Sequence, residues 1–100
     1  MKFLIEFNPP VDIKNAFEKS PDLQKKAGEA IARMKPVSAW FTWRYGFFVV
    51  EANSASELDK MVGPICHLFK TDPKVSPAFG LDEFPKLVAE LGEEAKKYGY

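Results

Sequence analysis

The sequence predicts an α+β domain in which helices cover one antiparallel sheet. Hydrophobic residues along the chain change repeatedly between a period of two, typical of strands, and a period near 3.6, typical of helices. Residues 37–52 also contain the plainest hairpin signal of the chain. Because 100 residues are enough for one domain with its own core, we expect a single domain over residues 1–100.

The first predicted strand covers Lys2–Phe7. Apolar and polar side chains alternate there with period two, and Asn8-Pro9-Pro10 ends the strand. From Val11 the spacing becomes helical. We expect two helical segments with a break, because Asp12 and Ser20 can each serve as an N-cap and a proline follows Ser20 at the first helical position.

The central hairpin is expected from strands at residues 37–44 and 46–52, which are rich in β-branched and aromatic types. The joint between them is Arg44-Tyr45-Gly46, where the glycine is free to take a positive φ. Both strands are apolar on both faces, which is not typical of a sheet that is wet on one side. Each face of the sheet therefore needs cover.

The length of the hairpin loop decides which side chains share a sheet face. A two-residue and a three-residue loop shift the register by one residue, which exchanges the two faces. The sequence leaves open whether Trp40 or Trp43 shares a face with Phe47.

A helix and a short strand are expected after the hairpin. Residues 54–57 form a capping box, and the helix behind it should cover about 55–69. Gly63-Pro64 lies inside that helix, so we expect a kink or a short interruption there. Residues 74–79 form the short strand, in which Pro77 favours an edge or irregular position.

The chain closes on an amphipathic helix that Asp82 is expected to cap. Its apolar stripe consists of Phe84, Leu87, Val88, Leu91, Ala95 and Tyr98. The full order is the ferredoxin-like βαββαβ plait with one additional C-terminal helix. In that plait both crossover helices lie on one face of a four-stranded antiparallel sheet, so the other face is left for a ligand or a partner.

Two segments of the chain resemble a known group of proteins. GFFVVEANSASEL at residues 46–58, followed by KVSPAF at residues 74–79, resembles small uncharacterised domain families of the dimeric α+β barrel superfamily. The resemblance extends over most of the chain in element order, and it implies a homodimer of two plaits paired sheet to sheet. Characterised members include cofactor-free monooxygenases, lactone isomerases, haem-dependent enzymes and amino-acid-sensing regulatory modules. No catalytic motif of theirs is matched, so the resemblance transfers no catalytic residue.

Composition argues against several classes of partner. With 14 basic and 14 acidic residues the net charge is zero, so we expect no binding to nucleic acid or to an anionic membrane. No apolar run approaches the roughly 20 residues of a membrane span. Cys66 is the only cysteine and cannot form an internal disulfide, and no signal peptide precedes the prolines near the N-terminus. We expect a cytoplasmic protein.

Six side chains are the candidates for ligand binding: Trp40, Trp43, Arg44, Tyr45, Glu6 and Glu51. The first four could stack on and hydrogen-bond a flat ligand, but a place for the tryptophans in a core or a dimer interface is favoured over this role. The antiparallel pairing of the first and third strands should bring Glu51 closer to Lys2 than to Glu6. A cross-strand ion pair is therefore favoured over an acid and base pair.

Neither a metal nor a cofactor is expected. His67, the single histidine, adjoins Cys66, but neighbours in a helix point about 100° apart. One histidine and one cysteine lack the spaced ligand set of a zinc site. The six glycines are scattered, so there is no phosphate-binding loop.

The leading hypothesis is a small homodimer that holds an apolar or aromatic ligand between helices and sheet. Phe41, Phe47 and Val49 are expected at the dimer interface, with sheet packed on sheet and the C-terminal helix at its rim or reaching the partner. The alternative is a cofactor-free monooxygenase or isomerase that acts on a small aromatic or lactone substrate. RNA binding is less favoured, because Tyr45 stands where the RNA-recognition motif needs a glycine after its basic residue.

Overall fold

The computed structural model describes residues 1–10 and 12–100, so the change of spacing predicted at Val11 lies outside the described residues. The elements in chain order are β1 (Lys2–Phe7), α1 (Ile13–Lys19), α2 (Pro21–Met34), β2 (Ser38–Phe41), β3 (Gly46–Glu51), α3 (Ala55–Phe69), β4 (Lys74–Ala78) and α4 (Phe84–Lys97). The predicted ferredoxin-like α+β order is confirmed, with the first crossover split into two helices. Among the described residues, no helix combines the length and the apolar character needed to cross a membrane.

The four strands form one antiparallel sheet in the order β2-β3-β1-β4. Lys2 lies opposite Glu51 and Ile5 lies opposite Phe48, which sets the register of the two central strands. β4 pairs only with β1, so Pro77 lies in an edge strand as predicted, where a missing backbone donor is tolerated.

One face of the sheet packs against α2 and α3. Its central side chains are Ile5 and Phe7 of β1 with Phe48 and Val50 of β3, and all four are buried. They form one core with four helix residues, namely Ala30, Met34, Val62 and Ile65. This core holds the helices in a single layer on the sheet, which is the two-layer arrangement of the plait.

The opposite side of the sheet is the open face. Strand alternation and the register assign eleven residues to it: Ser38, Trp40, Phe47, Val49, Glu51, Lys2, Leu4, Glu6, Lys74, Ser76 and Ala78. Its apolar residues lie on β1, β2 and β3, whereas β4 contributes Lys74 and Ser76. None of these eleven residues belongs to the buried core.

The helix starts agree with the predicted capping residues. Asp12 and Ser20 each accept, through a side-chain oxygen, a hydrogen bond from the backbone N–H three residues further on. Ser54 Oγ accepts from Glu57 N at 3.1 Å, and Glu57 Oε2 accepts from Asn53 N at 3.0 Å. These bonds satisfy donors that a helix N-terminus leaves without partners inside the helix.

α3 continues without interruption through Gly63-Pro64, so the short interruption considered above is absent. Val62 and Ile65 flank the two residues and are both buried in the core. Their packing holds the turns on either side of the proline against the sheet, which offsets the lost backbone hydrogen bond.

The hairpin departs from the prediction at its tip. β2 ends at Phe41 and not at residue 44, and the loop spans residues 42–45. Thr42 shortens the strand because its N–H donates to the carbonyl of Tyr45 at 2.9 Å while its Oγ1 accepts from Tyr45 N at 2.9 Å. Side-chain bonding of this kind competes with the strand ladder.

Gly46 does not use its freedom to take a positive φ, since Gly99 is the glycine of the described chain that adopts one. Gly46 is buried at the start of β3. A Cβ at this position would lie 3.2 Å from Cζ of Phe48. The glycine is therefore favoured by close packing against Phe48 and not by backbone conformation.

Asp82 does not cap α4, contrary to the prediction. Glu83 occupies the N-cap position without a side-chain hydrogen bond. The carbonyl of Gly80 accepts from Glu83 N at 3.1 Å and from Phe84 N at 3.0 Å. Because this turn leads directly into the helix, the backbone of residue 80 takes the place of a capping side chain.

α4 extends away from the rest of the molecule. The structure measures 55 × 23 × 22 Å, and its radius of gyration is 16.7 Å, against about 13 Å for a compact chain of this length. No residue of α4 is buried, and among the described residues no other element makes extensive contact with it. The apolar stripe of α4 is therefore left without a partner in its own chain.

Candidate functional site

An apolar cavity lies between the helix layer and the hairpin end of the sheet. Its volume is about 410 Å³, which falls at the small end of ligand pockets. The sheet and α3 contribute Phe7, Phe41, Gly46, Phe48, Ile65 and Phe69 to its lining. The first two helices contribute Ile13, Phe17, Gln24, Ala27, Gly28 and Ile31.

Aromatic pairs shape the walls of this cavity. The rings of Phe7 and Phe69 meet edge to face at 5.4 Å, and Phe17 lies 6.2 Å from Phe69 on the α1 side. Phe41 and Phe48 form a second edge-to-face pair at 5.5 Å. Such pairs favour these geometries over a loose arrangement, so the walls are preorganised.

The bend between α1 and α2 keeps the cavity from closing. Because the two helices are separate segments joined at Ser20, Ile13 and Phe17 approach the sheet from a different direction than Ala27 and Ile31. α1 is held near the sheet by Ile13 N, which donates to the carbonyl of Trp43 in the hairpin loop at 2.9 Å. The space between the two segments is the cavity.

The mouth of the cavity lies between α2 and the end of β2, where the lining residue Phe41 is 56% exposed. Gln24 and Gly28 line the cavity and are both exposed. Nothing lies within 4 Å of the position that a Cβ on Gly28 would occupy. A larger side chain at residue 28 would therefore enter free space at the mouth without displacing the core.

None of the six ligand-binding candidates from the sequence lies among the described lining residues of this cavity. Trp40 lies on the open face opposite Phe47, which answers the question of register in favour of Trp40. Trp43 is at the tip of the hairpin and is 66% exposed. The two tryptophans are therefore not brought together on one face.

Phe41, Phe47 and Val49 are likewise divided between the two faces. Phe47 and Val49 belong to the open face, and Tyr45 stacks on Phe47 with ring centroids 6.0 Å apart. Phe41 faces the helix layer and contributes to the cavity wall. The structure thus separates Phe41 from the other two candidates for the dimer interface.

Arg44 and Tyr45 border a shallow depression beside the β1–α1 connection. The depression has a volume of about 370 Å³, and its other lining residues are Asn8, Pro9, Pro10 and Asp12. The Asp12 carboxylate there already accepts the capping bond of α1. The depression therefore brings two polar candidates together, but its lining is more polar than apolar and does not suit an apolar ligand.

Glu6 and Glu51 share the open face but lie far apart along it. Glu6 is opposite Phe47, and Glu51 is four residues further along the same strand, about 13 Å away at the rise of a strand. Glu51 is opposite Lys2 as predicted, and its Oε1 accepts from the Met1 ammonium at 2.8 Å. That ammonium, aided by Lys2, lowers the pKa of the exposed Glu51 carboxyl.

Cys66 and His67 lie on the last turns of α3. Burial raises the pKa of the Cys66 thiol, and the nearby Asp72 carboxylate raises it further. A thiol with a raised pKa is a poor nucleophile. Within residues 1–10 and 12–100, no three histidine, cysteine or carboxylate side chains gather into a group able to hold a metal ion.

Sequence reasoning placed a ligand between helices and sheet but did not identify the residues that line the cavity, because they have the ordinary spacing of a core. The four-residue spacing of Ile13 and Phe17 was visible, and the break at Ser20 was predicted. What could not be read was that Phe69, far along the chain, would meet Phe17. The change of helix direction at Ser20, combined with paired phenylalanines, is the signal that could have indicated a gap.

Comparison with known proteins adds no relative. No protein-family model matches the chain, and no curated protein sequence matches it.

Proposed function

We propose that this chain binds a small apolar or aromatic ligand in the cavity between its helices and its sheet. The observation that supports the proposal is the cavity itself: about 410 Å³ of space in which Gln24 is the only polar side chain among the described lining residues. A concave site lined by apolar and aromatic side chains with a single polar group at its mouth is the usual form of a site for small apolar ligands.

The lining limits the chemical class of the ligand. A volume near 410 Å³ suits one to three aromatic rings or a short branched hydrocarbon. The lining contains five phenylalanines, three from the strands and one from each of α1 and α3, and such an apolar wall does not compensate a buried charge. The Gln24 side-chain amide at the mouth can donate a hydrogen bond through its NH₂ group and accept one through its oxygen. A ligand with a single hydroxyl, carbonyl or amide group therefore fits best.

Binding agrees with this site better than catalysis does. A cofactor-free monooxygenase or isomerase needs an acid or a base within hydrogen-bond reach of its substrate. The described lining of the cavity contains neither, because Glu6 and Glu51 belong to the opposite face of the sheet. The enzyme hypothesis therefore has no specific observation in its favour.

A pair of substitutions at Gly28 tests the proposal. The uncharged dye N-phenyl-1-naphthylamine should bind saturably with an increase in fluorescence, and one-ring aromatics should displace it. Gly28→Phe places a ring at the mouth and should weaken binding at least tenfold, which corresponds to about 1.4 kcal/mol. Gly28→Ala is the matched control, because it also replaces the helix glycine but adds little volume, and it should bind like the parent chain.

Two results would contradict the cavity as the binding site. One is an absence of saturable binding by the parent chain. The other is equal binding by Gly28→Phe and Gly28→Ala, which would put the dye somewhere else on the protein. Far-ultraviolet circular dichroism of both variants checks that the helices are retained.

We further propose that the protein is a homodimer in which a second copy covers the open face, as in the dimeric α+β barrel superfamily. Trp40 is 61% exposed there, beside the half-buried Leu4, Phe47 and Val49. A contiguous apolar surface of this kind is unusual on a monomer, and a two-fold partner is the commonest cover for it. The strand order supports the relationship to that superfamily.

A further inference from the structure

We infer that α4 is a dimerisation arm that lies across the open face of a second copy of this chain. The inference rests on the homodimer proposed above, but in it α4 of each copy, and not its sheet, covers the open face of the other copy. It begins from two apolar surfaces that the chain leaves without cover: the patch on the open face formed by Leu4, Trp40, Phe47 and Val49, and the α4 stripe defined above.

The α4 stripe is more exposed than the surface of a monomer requires. Phe84, Val88 and Leu91 are 56%, 51% and 60% exposed. Leu81 just before the helix and Tyr98 just after it are 95% and 67% exposed. An amphipathic helix of this length gains little stability from propensity alone, so a docking partner for its apolar side is expected.

The two surfaces match in width. The patch extends over β2, β3 and β1, so its outer strands are about 10 Å apart, and an α-helix with its side chains is about 10–12 Å across. β4, at the edge beyond the patch, presents Lys74 and Ser76. One helix therefore covers the apolar part of the open face and leaves its polar edge in water.

The charge of α4 favours docking on the open face of another copy over binding to a lipid surface. The helix carries three lysines and three glutamates between Phe84 and Lys97, so its net charge is zero. It lacks the basic polar face with which amphipathic helices bind anionic lipid. The patch on the open face, present in every copy of the chain, has the apolar chemistry that the stripe needs.

A two-fold arrangement also supplies enough contact area. Five exposed side chains would dock: Leu81, Phe84, Val88, Leu91 and Tyr98. If each loses about 100 Å² of accessible surface, one arm buries about 500 Å². Two-fold symmetry doubles every contact, so the two arms alone lose about 1,000 Å², before the matching area of the two sheets is added. The total falls within the range of stable interfaces.

The connection to β4 directs α4 outward. Five residues, 79–83, separate the strand from the helix, and three of them form the turn closed on the Gly80 carbonyl. Since that turn continues into α4, the helix leaves the sheet edge instead of folding back across its own open face. An extended arm is free to reach a neighbouring copy.

The first measurement is mass by light scattering after gel filtration of the full chain. The parent should have twice the chain mass of 11.3 kDa. Leu91→Glu should have the single-chain mass, because it places a charge in the centre of the stripe. Ala89→Glu is the matched control: it adds the same side chain to the same helix about 200° away from residue 91 and should remain dimeric.

The second measurement identifies the surfaces that meet. In a Cys66→Ala background, chains with Leu91→Cys are mixed with chains carrying Val49→Cys and treated with a short bismaleimide. We expect a crosslink between the two kinds of chain. Leu91 is exposed on a helix with no buried residue, so its replacement leaves the fold intact. Circular dichroism checks that Val49→Cys also retains the fold.

The outcomes separate the arm from the dimer. A parent chain of 11.3 kDa would overturn both the arm and the homodimer. A dimer that survives Leu91→Glu but is lost with Val49→Lys would overturn the arm alone. A crosslink formed only between two Leu91→Cys chains would also overturn it, since the helices would then pair with each other.

Discussion

Gly46 illustrates how a single residue shapes both the hairpin and the cavity. Its missing side chain lets the Phe48 ring lie against the start of β3, where a Cβ would be 3.2 Å away from it. The same ring pairs with Phe41, and the two form one wall of the cavity. A glycine that reads as turn chemistry in the sequence is thus a packing requirement in the fold.

Cys66 should be slow to react because of where it lies. Burial raises its thiol pKa, and the thiolate is the form that attacks iodoacetamide. We expect the pH at which alkylation becomes half-maximal to be higher in the folded chain than in the same chain unfolded in urea. Mass spectrometry of samples quenched across a pH series measures both profiles.

The same shift has a consequence for stability. A thiol pKa that is higher in the folded state contributes to the free energy of unfolding. This contribution is fully present below the pKa of the thiol in the unfolded chain, and it is lost as the pH rises through the pKa of the thiol in the folded chain. Cys66→Ala should remove this loss of stability at alkaline pH. An alkylation midpoint equal to or below that of the unfolded chain would show that the thiol is not buried as described.

At the scale of elements, α3 depends on its first turn. Ser54 Oγ accepts from Glu57 N at 3.1 Å, and replacing a capping serine by alanine costs about 1 kcal/mol. Ser54→Ala should lower the free energy of unfolding by about that amount in a urea titration. Because Val62 and Ile65 of this helix are core residues, loosening the helix affects the whole sheet layer.

Ser56→Ala provides the comparison for the cap. Ser56 is exposed within the first turn of the same helix, and alanine has the higher helix propensity there. The variant should be neutral or slightly more stable than the parent. Equal losses for Ser54→Ala and Ser56→Ala would mean that the capping bond does not contribute.

α4 differs from the other helices in what supports it. α2 and α3 each bury residues in the core, whereas α4 buries none. Its sequence contains as regular an apolar stripe as theirs. Periodicity therefore indicates that a helix has an apolar side, but not whether that side faces its own chain or another one.

At the scale of the whole molecule, the proposed dimer predicts a melting temperature that depends on concentration. Association stabilises the folded state by mass action. A hundredfold rise in protein concentration adds about 2.7 kcal/mol per dimer, or about 1.4 kcal/mol per chain. For a chain of this size that raises the melting temperature by roughly 6–11 °C.

Differential scanning calorimetry at about 2 and 200 μM measures this rise. Ala89→Glu should show the same dependence as the parent, and Leu91→Glu should melt at one temperature at both concentrations. A parent melting temperature that is independent of protein concentration would contradict the proposed homodimer.

Local chemistry made much of the fold predictable. β1 and α3 have the predicted bounds, the break at Ser20 and the caps at Asp12 and Ser54 are present, and the element order is the expected one. Capping, alternation and helical spacing involve residues a few positions apart, so the sequence displays them directly. The edge position of β4 followed from Pro77 for the same reason.

The cavity and the two free apolar surfaces were decided by tertiary structure. Whether Trp40 or Trp43 faces Phe47 depended on Thr42, which ends β2 early through its own hydrogen bonds. The cavity exists because Phe17 and Phe69, distant in sequence, meet at the bend between α1 and α2. The sequence by itself determined which stretches form helices and strands, because helix and strand formation depends on residues a few positions apart. The packing of residues remote in sequence determined where the elements leave a cavity and which apolar sides stay uncovered.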